Sequence, residues 1–273
     1  EALAIAKTIR MPAQNIIVAD KKGHIGWTIA GAIPKRIGFD GRTPQSWANG
    51  EKGWFGWLEA VEHPTVYEPP DGILWSANAR MIGAKEAKLL GDGGYALGAR
   101  AQQIRDRLRG LTAIDEINSL NLQLDDRSLF LTPWKDLAIT LLGNSSRPLP
   151  HQHQEFLKQL AQWSGRASAD SVAFNLVRRF RLEVRERTFT ALLDHYETSA
   201  FALDYYHLYR QNEAPLWTLI TEKPSTWHPP AFSSWDEFLL GCIDASIQAL
   251  TADGHALSEL SWGRYNQLTI GHP

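Results

Sequence analysis

The sequence predicts an α/β fold of the α+β kind, in which a first third that contains a β-hairpin precedes a mainly helical remainder. The hairpin is indicated by two apolar, β-branched runs within residues 14–30, which the turn sequence Asp-Lys-Lys-Gly at 20–23 separates. From about residue 84 onwards, the apolar residues recur at helical spacing instead. We therefore expect a sheet-containing part at 1–82 and a mainly helical part at 83–273.

The first part divides into short elements. Residues 1–10 have a helical pattern, which a proline two residues later ends because its ring cannot continue a helix. After the hairpin, residues 35–63 are rich in Gly, Pro and Trp and follow neither period, so an ordered loop is predicted. Two further extended stretches are expected at 65–67 and 73–75.

The second part shows a series of apolar stripes at helical spacing. Ser234 and Glu237 form the S-x-x-E pattern of a capping box, which marks the start of a helix. The stripes that predict other helices begin at Ala101, Ile114, Phe156 and Val172.

Composition narrows the class of protein. With 273 residues, 44% of them hydrophobic, the chain can bury a large core. Its formal net charge of −2 argues against a nucleic-acid partner, which would require clustered Lys and Arg. The single cysteine, Cys242, excludes an internal disulfide and a Cys-rich metal site. No apolar run reaches about 18 residues, so no membrane-spanning helix is predicted.

Both ends of the sequence resemble cut points. The chain begins at Glu1 inside a helical pattern and without a start methionine, and it ends at Pro273 soon after an apolar, strand-like stretch. Natural domains more often end in polar segments. These features favour a processed or truncated segment of a longer protein.

Two pairs of polar residues offer candidate chemistry, each with a simpler alternative. His151 and His153 could bind a metal, but they lie in a Pro-flanked polar stretch with no third ligand to complete the set, so a solvated loop is favoured. Asp125 and Asp126 could form a catalytic carboxylate pair. Neighbours on a helix point about 100° apart, however, so a polar helix end is favoured.

The eleven tryptophans allow two interpretations. Most have apolar neighbours at helical spacing, which favours the core. Trp47, Trp54 and Trp57 lie in loop sequence and could line a cleft or form a carbohydrate-stacking surface. No Gly-x-Ser-x-Gly motif occurs. Composition and spacing alone therefore leave the function open.

Several ordered motifs extend over nearly the whole chain. The longest is Q-N-x-x-x-A-D-x-x-G-x-I-G at 14–26, which continues as G-x-x-P-x-R at 31–36. The others are Trp-Phe-Gly at 54–56, Pro-Thr-Val-Tyr-Glu-Pro at 64–69, Gly-Ile-Leu-Trp-Ser-Ala-Asn at 72–78, Leu-Gly-Ala-Arg-Ala-Gln-Gln-Ile at 97–104, Leu-Gln-Leu-Asp at 122–125, and Trp-Gly at 262–263 before a closing His272-Pro273. Together these motifs resemble the penicillin acylase (penicillin amidase) family.

The resemblance implies a fold and a reaction. Penicillin acylases are N-terminal-nucleophile hydrolases with a four-layer αββα fold, so this chain would be a partial αββα fold from the β-chain region of such an enzyme. In the family, a precursor cuts itself, and the new first residue, usually serine, attacks an amide carbonyl with its own α-amino group as base. The nucleophile would lie outside this chain, and residues 1–273 alone would be inactive.

The resemblance also implies roles for particular residues. Asn78 matches the asparagine whose side chain donates to the oxyanion, and Arg100, 22 residues later (100 − 78), matches an arginine that orients this site. Gln14 matches a position near the wall of the acyl pocket. The family's second asparagine is replaced here by Ala79. We expect Asn78 at the end of an extended segment with its amide directed into a cleft, and Arg100 within reach of it.

Cofactor expectations follow from the same resemblance. No cofactor is expected for this chain. A structural calcium ion is expected, if at all, only in the full-length protein, because Leu89 stands where the family has a carboxylate, although Asp92 lies close by in sequence. The family's W-G-x-x-H pattern is also altered, with Asn266 at the His position.

The implied substrate is a small N-acyl amide, such as a penicillin side-chain amide or an acyl-homoserine lactone. The implied partners are the remaining segments or chains of the same precursor, with neither nucleic acid nor membrane, and the implied location is the periplasm. The rival interpretation is a non-catalytic, acylase-like binding or scaffold module with a Trp-rich surface.

Overall fold

The structure, a computed structural model, describes residues 1–91, 94–144, 148–194 and 211–271. The chain divides into two compact units, Glu1–Gln123 and Leu124–Pro273. Within the described residues, the named strands all lie in the first unit, and the second unit is built from helices.

The first unit contains two antiparallel sheets. Its strands are β1 (Gln14–Ala19), β2 (Ile25–Ala30), β3 (Pro34–Ile37), β4 (Gly53–Trp57) and β5 (Thr65–Tyr67). The larger sheet has the order β1-β2-β5, and the smaller sheet pairs β3 with β4. In the part of the chain that the structure describes, no further strand covers the outer edges of β1 and β5.

The predicted hairpin is confirmed. Strand β1 pairs with β2 in a continuous register that runs from Gln14 opposite Ala30 to Ala19 opposite Ile25. The turn is closed by the Asp20 carboxylate, which accepts hydrogen bonds from the backbone N–H groups two and four residues later, at 2.8 Å and 3.1 Å. Such a bond from an aspartate to its own following backbone is the usual chemistry of a tight turn. The extended stretch expected at 65–67 is also confirmed as β5.

Two expectations for the first unit are wrong. The predicted loop at 35–63 contains most of β3 and all of β4, and the stretch at 73–75 forms no strand. Strands β3 and β4 pair residues that lie far apart in sequence, such as Arg36 with Trp54, so their local sequences need no alternation of their own. Whether each of these segments forms a strand was decided by pairing across the sheet, which a local sequence pattern does not encode.

Strand β2 is the centre of the first unit. Since β1 and β5 flank it on both sides, five of its six residues are buried. Trp27 and Ile29 pack in a small core with Ile33, Leu58 and Leu90. Burial of the whole strand explains its continuous apolar sequence.

Four helices complete the first unit: α1 (Ala2–Ala6), α2 (Ala84–Leu90), α3 (Ala99–Arg109) and α4 (Glu116–Gln123). Helix α1 is shorter than the predicted 1–10, because the carbonyl of Ala6 accepts a hydrogen bond from the N–H of Gly31 in place of a helical one. Helix α2 is joined to β3 by Arg36, whose Nη1 donates to the carbonyl of Leu89 at 3.1 Å. Helix α4 has no buried residue, so the apolar stripe that predicted it faces solvent in this unit.

The second unit is a helical assembly around one large core. Its helices are α5 (Thr132–Gly143), α6 (His151–Leu160), α7 (Val172–Asp194), α8 (Glu213–Glu222), α9 (Trp235–Leu250) and α10 (Trp262–Tyr265). The predicted inward stripe of α7 is confirmed, since Leu176, Phe180 and Val184 are fully buried. Helix α7 packs against α9, which contributes Phe238 and Ile243 to the same core.

The predicted start of α9 is confirmed, with one difference in the capping box. The hydroxyl of Ser234 accepts a hydrogen bond from the N–H of Glu237 at 3.1 Å, as the motif requires. The carboxylate of Glu237 binds the N–H of Ser233 at 2.8 Å. The reciprocal bond is therefore displaced by one residue towards the N-terminus.

The expected division at 82/83 was based on the change from strand to helix patterns. The boundary between the two compact units lies later in the chain, between residues 123 and 124. After the last strand, the next helix begins at residue 84, close to the predicted change of period. The first unit nevertheless keeps α2, α3 and α4, because α2 packs on β3 and α3 packs on α4.

Candidate active site

Asn78 lies in an exposed bend of the first unit. The residues before it, 73–77, form no strand, so the expected strand end is not what holds it. Its backbone carbonyl accepts a hydrogen bond from the N–H of Ala96 at 2.8 Å. Its side chain is exposed, and within the described residues it forms no hydrogen bond to the backbone.

Arg100 contacts Asn78 directly. This arginine is the second residue of α3, and its Nη2 donates to the side-chain Oδ1 of Asn78 at 2.8 Å. A guanidinium has only N–H donors, so the oxygen of the asparagine amide must face it and the Nδ2 group must face away. The contact therefore orients the Asn78 amide with its two N–H donors directed away from the guanidinium.

The position of Arg100 in its helix supports a role outside the helix. The N-terminus of a helix carries partial positive charge, so a cation in the first turn is not favoured by the helix dipole. Within the described residues, no carboxylate forms an ion pair with Arg100, so its charge stays beside the Asn78 amide. A positive charge next to an amide donor favours an anionic or strongly polar acceptor at that donor.

Asn15 also contacts the site, although the resemblance of its motif assigned it no role. Its side-chain Nδ2 donates to the carbonyl of Ala77, the residue directly before Asn78, at 3.0 Å. The available signal was its place beside Gln14 in the Q-N motif at the start of β1. No periodicity or spacing indicates that it contacts a segment 62 residues away.

Among the described residues, no hydrogen bond joins Gln14 to Asn78. It is the exposed first residue of β1, and successive side chains of a strand point to opposite faces. Since the side chain of its neighbour Asn15 reaches the segment before Asn78, Gln14 faces the other side of the sheet. Its role at the acyl pocket stays a prediction.

The two polar pairs do not form sites. His151 and His153 lie in α6 and not in the favoured solvated loop, because the helix begins directly after Pro150. His153 is buried, and its Nε2 lies 2.6 Å from Oδ1 of Asp244. His153 thus joins α6 to α9, whereas His151 is exposed at the start of α6.

Asp125 and Asp126 bind different arginines just beyond the end of α4. Asp125 accepts hydrogen bonds of 2.7 Å and 2.6 Å from Nε and Nη2 of Arg127. Asp126 pairs with Arg166. Each carboxylate is neutralised by its own partner, so the two do not act as a catalytic pair.

The tryptophans divide as their sequence context suggested. Trp27, Trp134 and Trp235 are buried core residues. Trp47, Trp54 and Trp57 are exposed, and the ring centroids of Trp47 and Trp54 lie 5.6 Å apart. Trp54 and Trp57 lie in β4 and not in the expected loop. A further two-ring contact, 5.9 Å between centroids, joins Phe39 to Trp47.

The described residues do not fit a calcium site near Asn78. Leu89, at the position of the family's carboxylate, is an apolar residue of α2, and Asp92 lies outside the described residues. Groups of three or more His, Cys, Asp or Glu suited to a metal ion do not occur where the structure describes the chain.

Among the described helices, none has the length and hydropathy of a transmembrane segment.

The altered Trp-Gly motif at 262–263 is structural. The N–H of Gly263 donates to the carbonyl of Ala169 at 2.7 Å, and a Cβ at Gly263 would lie 2.8 Å from that oxygen. Arg178 lies over the rings of Trp262 and Tyr265, 5.1 Å from each. Asn266 follows α10 as its C-cap, and the closing His272-Pro273 lies outside the described residues.

Comparison with solved structures identifies the fold. The chain is similar to the thermostable penicillin G acylase from Alcaligenes faecalis, with a TM-score of 0.60 and 18% sequence identity over 95% of this chain and 49% of that one. The expected partial N-terminal-nucleophile hydrolase fold, of the α+β class, is therefore confirmed. A model of the penicillin amidase family matches residues 1–273. The chain belongs to the penicillin amidase family.

The similar curated proteins are acylases. The acyl-homoserine lactone acylases QuiP of Pseudomonas fluorescens and Pseudomonas putida are 26% and 25% identical, over 78% and 96% of this chain. A penicillin acylase 2 proenzyme from a Pseudomonas species is 25% identical over 95% of this chain. The matches cover 28%, 34% and 32% of these three relatives, so the chain spans about a third of their length.

Proposed function

We propose that this chain is part of an acylase that hydrolyses the amide bond of a small N-acyl compound, and that Asn78 is its oxyanion-stabilising residue. The observation that carries the proposal is the hydrogen bond from Arg100 to Oδ1 of Asn78, which directs the amide N–H groups away from the arginine. Membership of the penicillin amidase family supports amide hydrolysis as the reaction.

In the proposed reaction, attack on the amide carbonyl gives a tetrahedral intermediate whose oxygen carries negative charge. The Nδ2 group of Asn78 donates to this oxygen, and Arg100 holds the amide in that orientation while its charge favours the anion. Collapse of the intermediate expels the amine, and hydrolysis of the acyl-enzyme releases the carboxylic acid. The nucleophile and its base come from a segment other than residues 1–273, so this chain alone is inactive.

The substrate class follows from what the named relatives have in common. A penicillin acylase and an acyl-homoserine lactone acylase both act on an amide between an acyl group and a small amine, so an N-acyl amide is the common feature. Gln14 is proposed at the wall of the acyl pocket. The remaining segments of a self-processed precursor are the proposed partners, and the periplasm is the proposed location.

The test is Asn78→Ala in the whole acylase, assayed with a chromogenic phenylacetyl or fatty-acyl anilide. We expect kcat to fall by roughly 10²–10³, because one oxyanion donor is lost, while the melting temperature stays close to that of the wild type. Asn78→Asp should be at least as damaging, since a carboxylate repels the developing charge. Turnover at the wild-type rate in Asn78→Ala would show that Asn78 is not the oxyanion donor.

The exposed tryptophans support a second candidate function, a non-catalytic binding or scaffold module. Trp47, Trp54 and Trp57 expose 46%, 56% and 59% of their surface, which is unusual for this residue. The same assay separates the two functions. A catalytic role predicts anilide turnover by the whole protein that depends on Asn78, whereas a binding module predicts no turnover with either residue at position 78.

A further inference from the structure

We infer that Asn15 is a positioning residue for Asn78, holding the backbone before it so that the Asn78 amide meets the oxyanion. The inference rests on the proposed function of Asn78. It concerns a residue on a different element, β1, that reaches the site through one side-chain hydrogen bond.

Asn15 stands on a rigid part of the first unit. It is half-buried in β1 and lies opposite Ile29 of β2, the central strand of the three-stranded sheet. From this strand its Nδ2 donates to the carbonyl of Ala77 at 3.0 Å. Residues on paired strands are held more accurately than residues on loops. Through this bond, β1 fixes the position of the carbonyl of Ala77, which lies in a segment that forms no strand.

Three consecutive residues at the site are held by three different contacts. The carbonyl of Ala77 is bonded to Asn15, the carbonyl of Asn78 is bonded to the N–H of Ala96, and the side chain of Ala79 is buried with 3% exposure. Residues 73–77 have no strand pairing that could replace the first contact. The backbone before Asn78 therefore depends on Asn15.

The contacts of Asn15 and Arg100 have different effects on the Asn78 side chain. Arg100 binds Oδ1 and sets the rotation of the amide group, whereas Asn15 fixes the peptide from which the side chain projects. An oxyanion donor must be held within about 0.5 Å and 10–20° of its productive geometry. Loss of either contact should lower kcat more than it weakens substrate binding, because the interaction concerned is strongest in the transition state.

The experiment replaces Asn15 with Ala in the whole acylase and measures kcat and KM with the chromogenic anilide. We expect kcat to fall by about 10- to 100-fold, since a misplacement of about 1 Å can cost that much, with KM changed by about twofold or less. Asn15→Asp, which keeps the shape and removes the donor, should be at least as damaging because its carboxylate faces the carbonyl of Ala77.

Asn118→Ala is the matched control. The Nδ2 of Asn118 also donates to an alanine carbonyl in the first unit, that of Ala113, at 3.2 Å. Among the described residues, Asn118 forms no hydrogen bond with Asn78 or Arg100. This variant should keep the wild-type kcat. A second readout is amide hydrogen exchange of residues 73–80, which should become faster in Asn15→Ala and stay unchanged in Asn118→Ala.

A double-mutant cycle distinguishes positioning from a general structural effect. If Asn15 acts through Asn78, Asn15→Ala should cause no further loss of kcat in the Asn78→Ala background. An equal loss in both backgrounds, or a wild-type kcat in Asn15→Ala while Asn78→Ala is impaired, would overturn the inference alone. A wild-type kcat in Asn78→Ala would instead remove the proposed function.

If Asn15→Ala loses the far-UV circular dichroism of the folded protein, Asn15→Gln decides the question. The longer side chain keeps an amide donor but displaces it from the carbonyl of Ala77. A lowered kcat at an unchanged melting temperature supports the positioning role, and an unchanged kcat overturns it.

Discussion

The two units of the molecule differ in how much of their aromatic surface they bury. In the helical unit, Trp134, Phe156, Phe180 and Phe238 are at most 1% exposed and form one continuous core. In the first unit, the aromatic residues of β4 are instead more than half exposed, and five of the described residues form its buried core cluster. The helical unit is therefore stabilised mainly by packing, whereas the first unit leaves much of its apolar surface uncovered.

The candidate site lies in the less densely packed unit. Asn78 is held there by Arg100, by the N–H of Ala96 and, one residue earlier, by Asn15. Hydrogen bonds between distant segments thus hold the first unit in place, whereas side-chain packing holds the second. The comparison predicts that packing mutations act most strongly in the helical unit and that polar mutations act locally in the first unit.

The largest expected effect on stability is that of Phe180→Ala. Phe180 is fully buried in α7 and packs edge-to-face against Trp134, with ring centroids 6.1 Å apart. Its truncation should lower the free energy of unfolding by about 3–5 kcal/mol, because it removes buried surface and leaves a cavity. Urea denaturation followed by far-UV circular dichroism measures this difference.

Phe55→Ala is the matched control for Phe180→Ala. Phe55 lies in β4 and is 54% exposed, so its truncation should change the free energy of unfolding by only about 0.5 kcal/mol or less. If the two variants lose equal stability, the proposed contrast between a packed unit and an uncovered one is wrong.

An intermediate effect is expected for Arg36→Ala in the first unit. Its guanidinium binds the carbonyl of Leu89 near the C-terminus of α2, where a cation is also favoured by the helix dipole. Loss of both interactions should cost about 1–2 kcal/mol. We expect faster hydrogen exchange in 84–90 but not in α7, and Arg36→Lys should restore part of the protection. Equal acceleration in α7 would contradict a local effect.

The smallest effect concerns the turn of the hairpin, where the side chains of Asp20 and His24 form a hydrogen bond of 2.9 Å. That bond lowers the pKa of Asp20 below 3.8, so its contribution to stability is present above pH 3.8 and is lost as the pH falls through the lowered value. The same bond raises the pKa of His24 above 6.5, so its contribution is complete below pH 6.5 and is lost as the pH rises through the raised value.

Protection of the hairpin amides from hydrogen exchange should therefore be greatest between pH 3.8 and 6.5. Hydrogen exchange of residues 14–30, corrected for the intrinsic dependence on pH, measures this protection. The Asp20→Asn variant retains an acceptor for the turn and should lose the pH dependence. A corrected protection that is constant from pH 3 to 9 in the wild type would exclude a contribution from this pair.

Local patterns in the sequence predicted the elements whose stabilising contacts are close in sequence. The hairpin was predictable because Asp20 bonds to the residues that follow it, and the start of α9 because Ser234 bonds to a residue three positions later. The inward face of α7 was predictable because its period of 3.6 residues places Leu176, Phe180 and Val184 on one side. The paired strands β3 and β4 were missed because their partners lie beyond any local window.

The candidate site shows the same limit. The resemblance to the penicillin acylases placed Asn78 and Arg100 together, and the hydrogen bond of 2.8 Å between them agrees with that placement. The catalytic roles of Asn78 and Arg100 and the substrate-binding role of Gln14 stay predictions. Asn15 could not be found from the residues alone, because its partner lies 62 residues later in a segment with no periodic pattern.

The sequence by itself determined the α+β class, the hairpin and the principal helices, because turn chemistry, caps and apolar periodicity act between residues that are near neighbours in the chain. Only the tertiary structure decided where α1 ends, that His153 joins α6 to α9, and which side-chain atom of Asn78 faces Arg100. Each of these depends on a hydrogen bond between distant segments, and its partner is fixed only when the chain has folded.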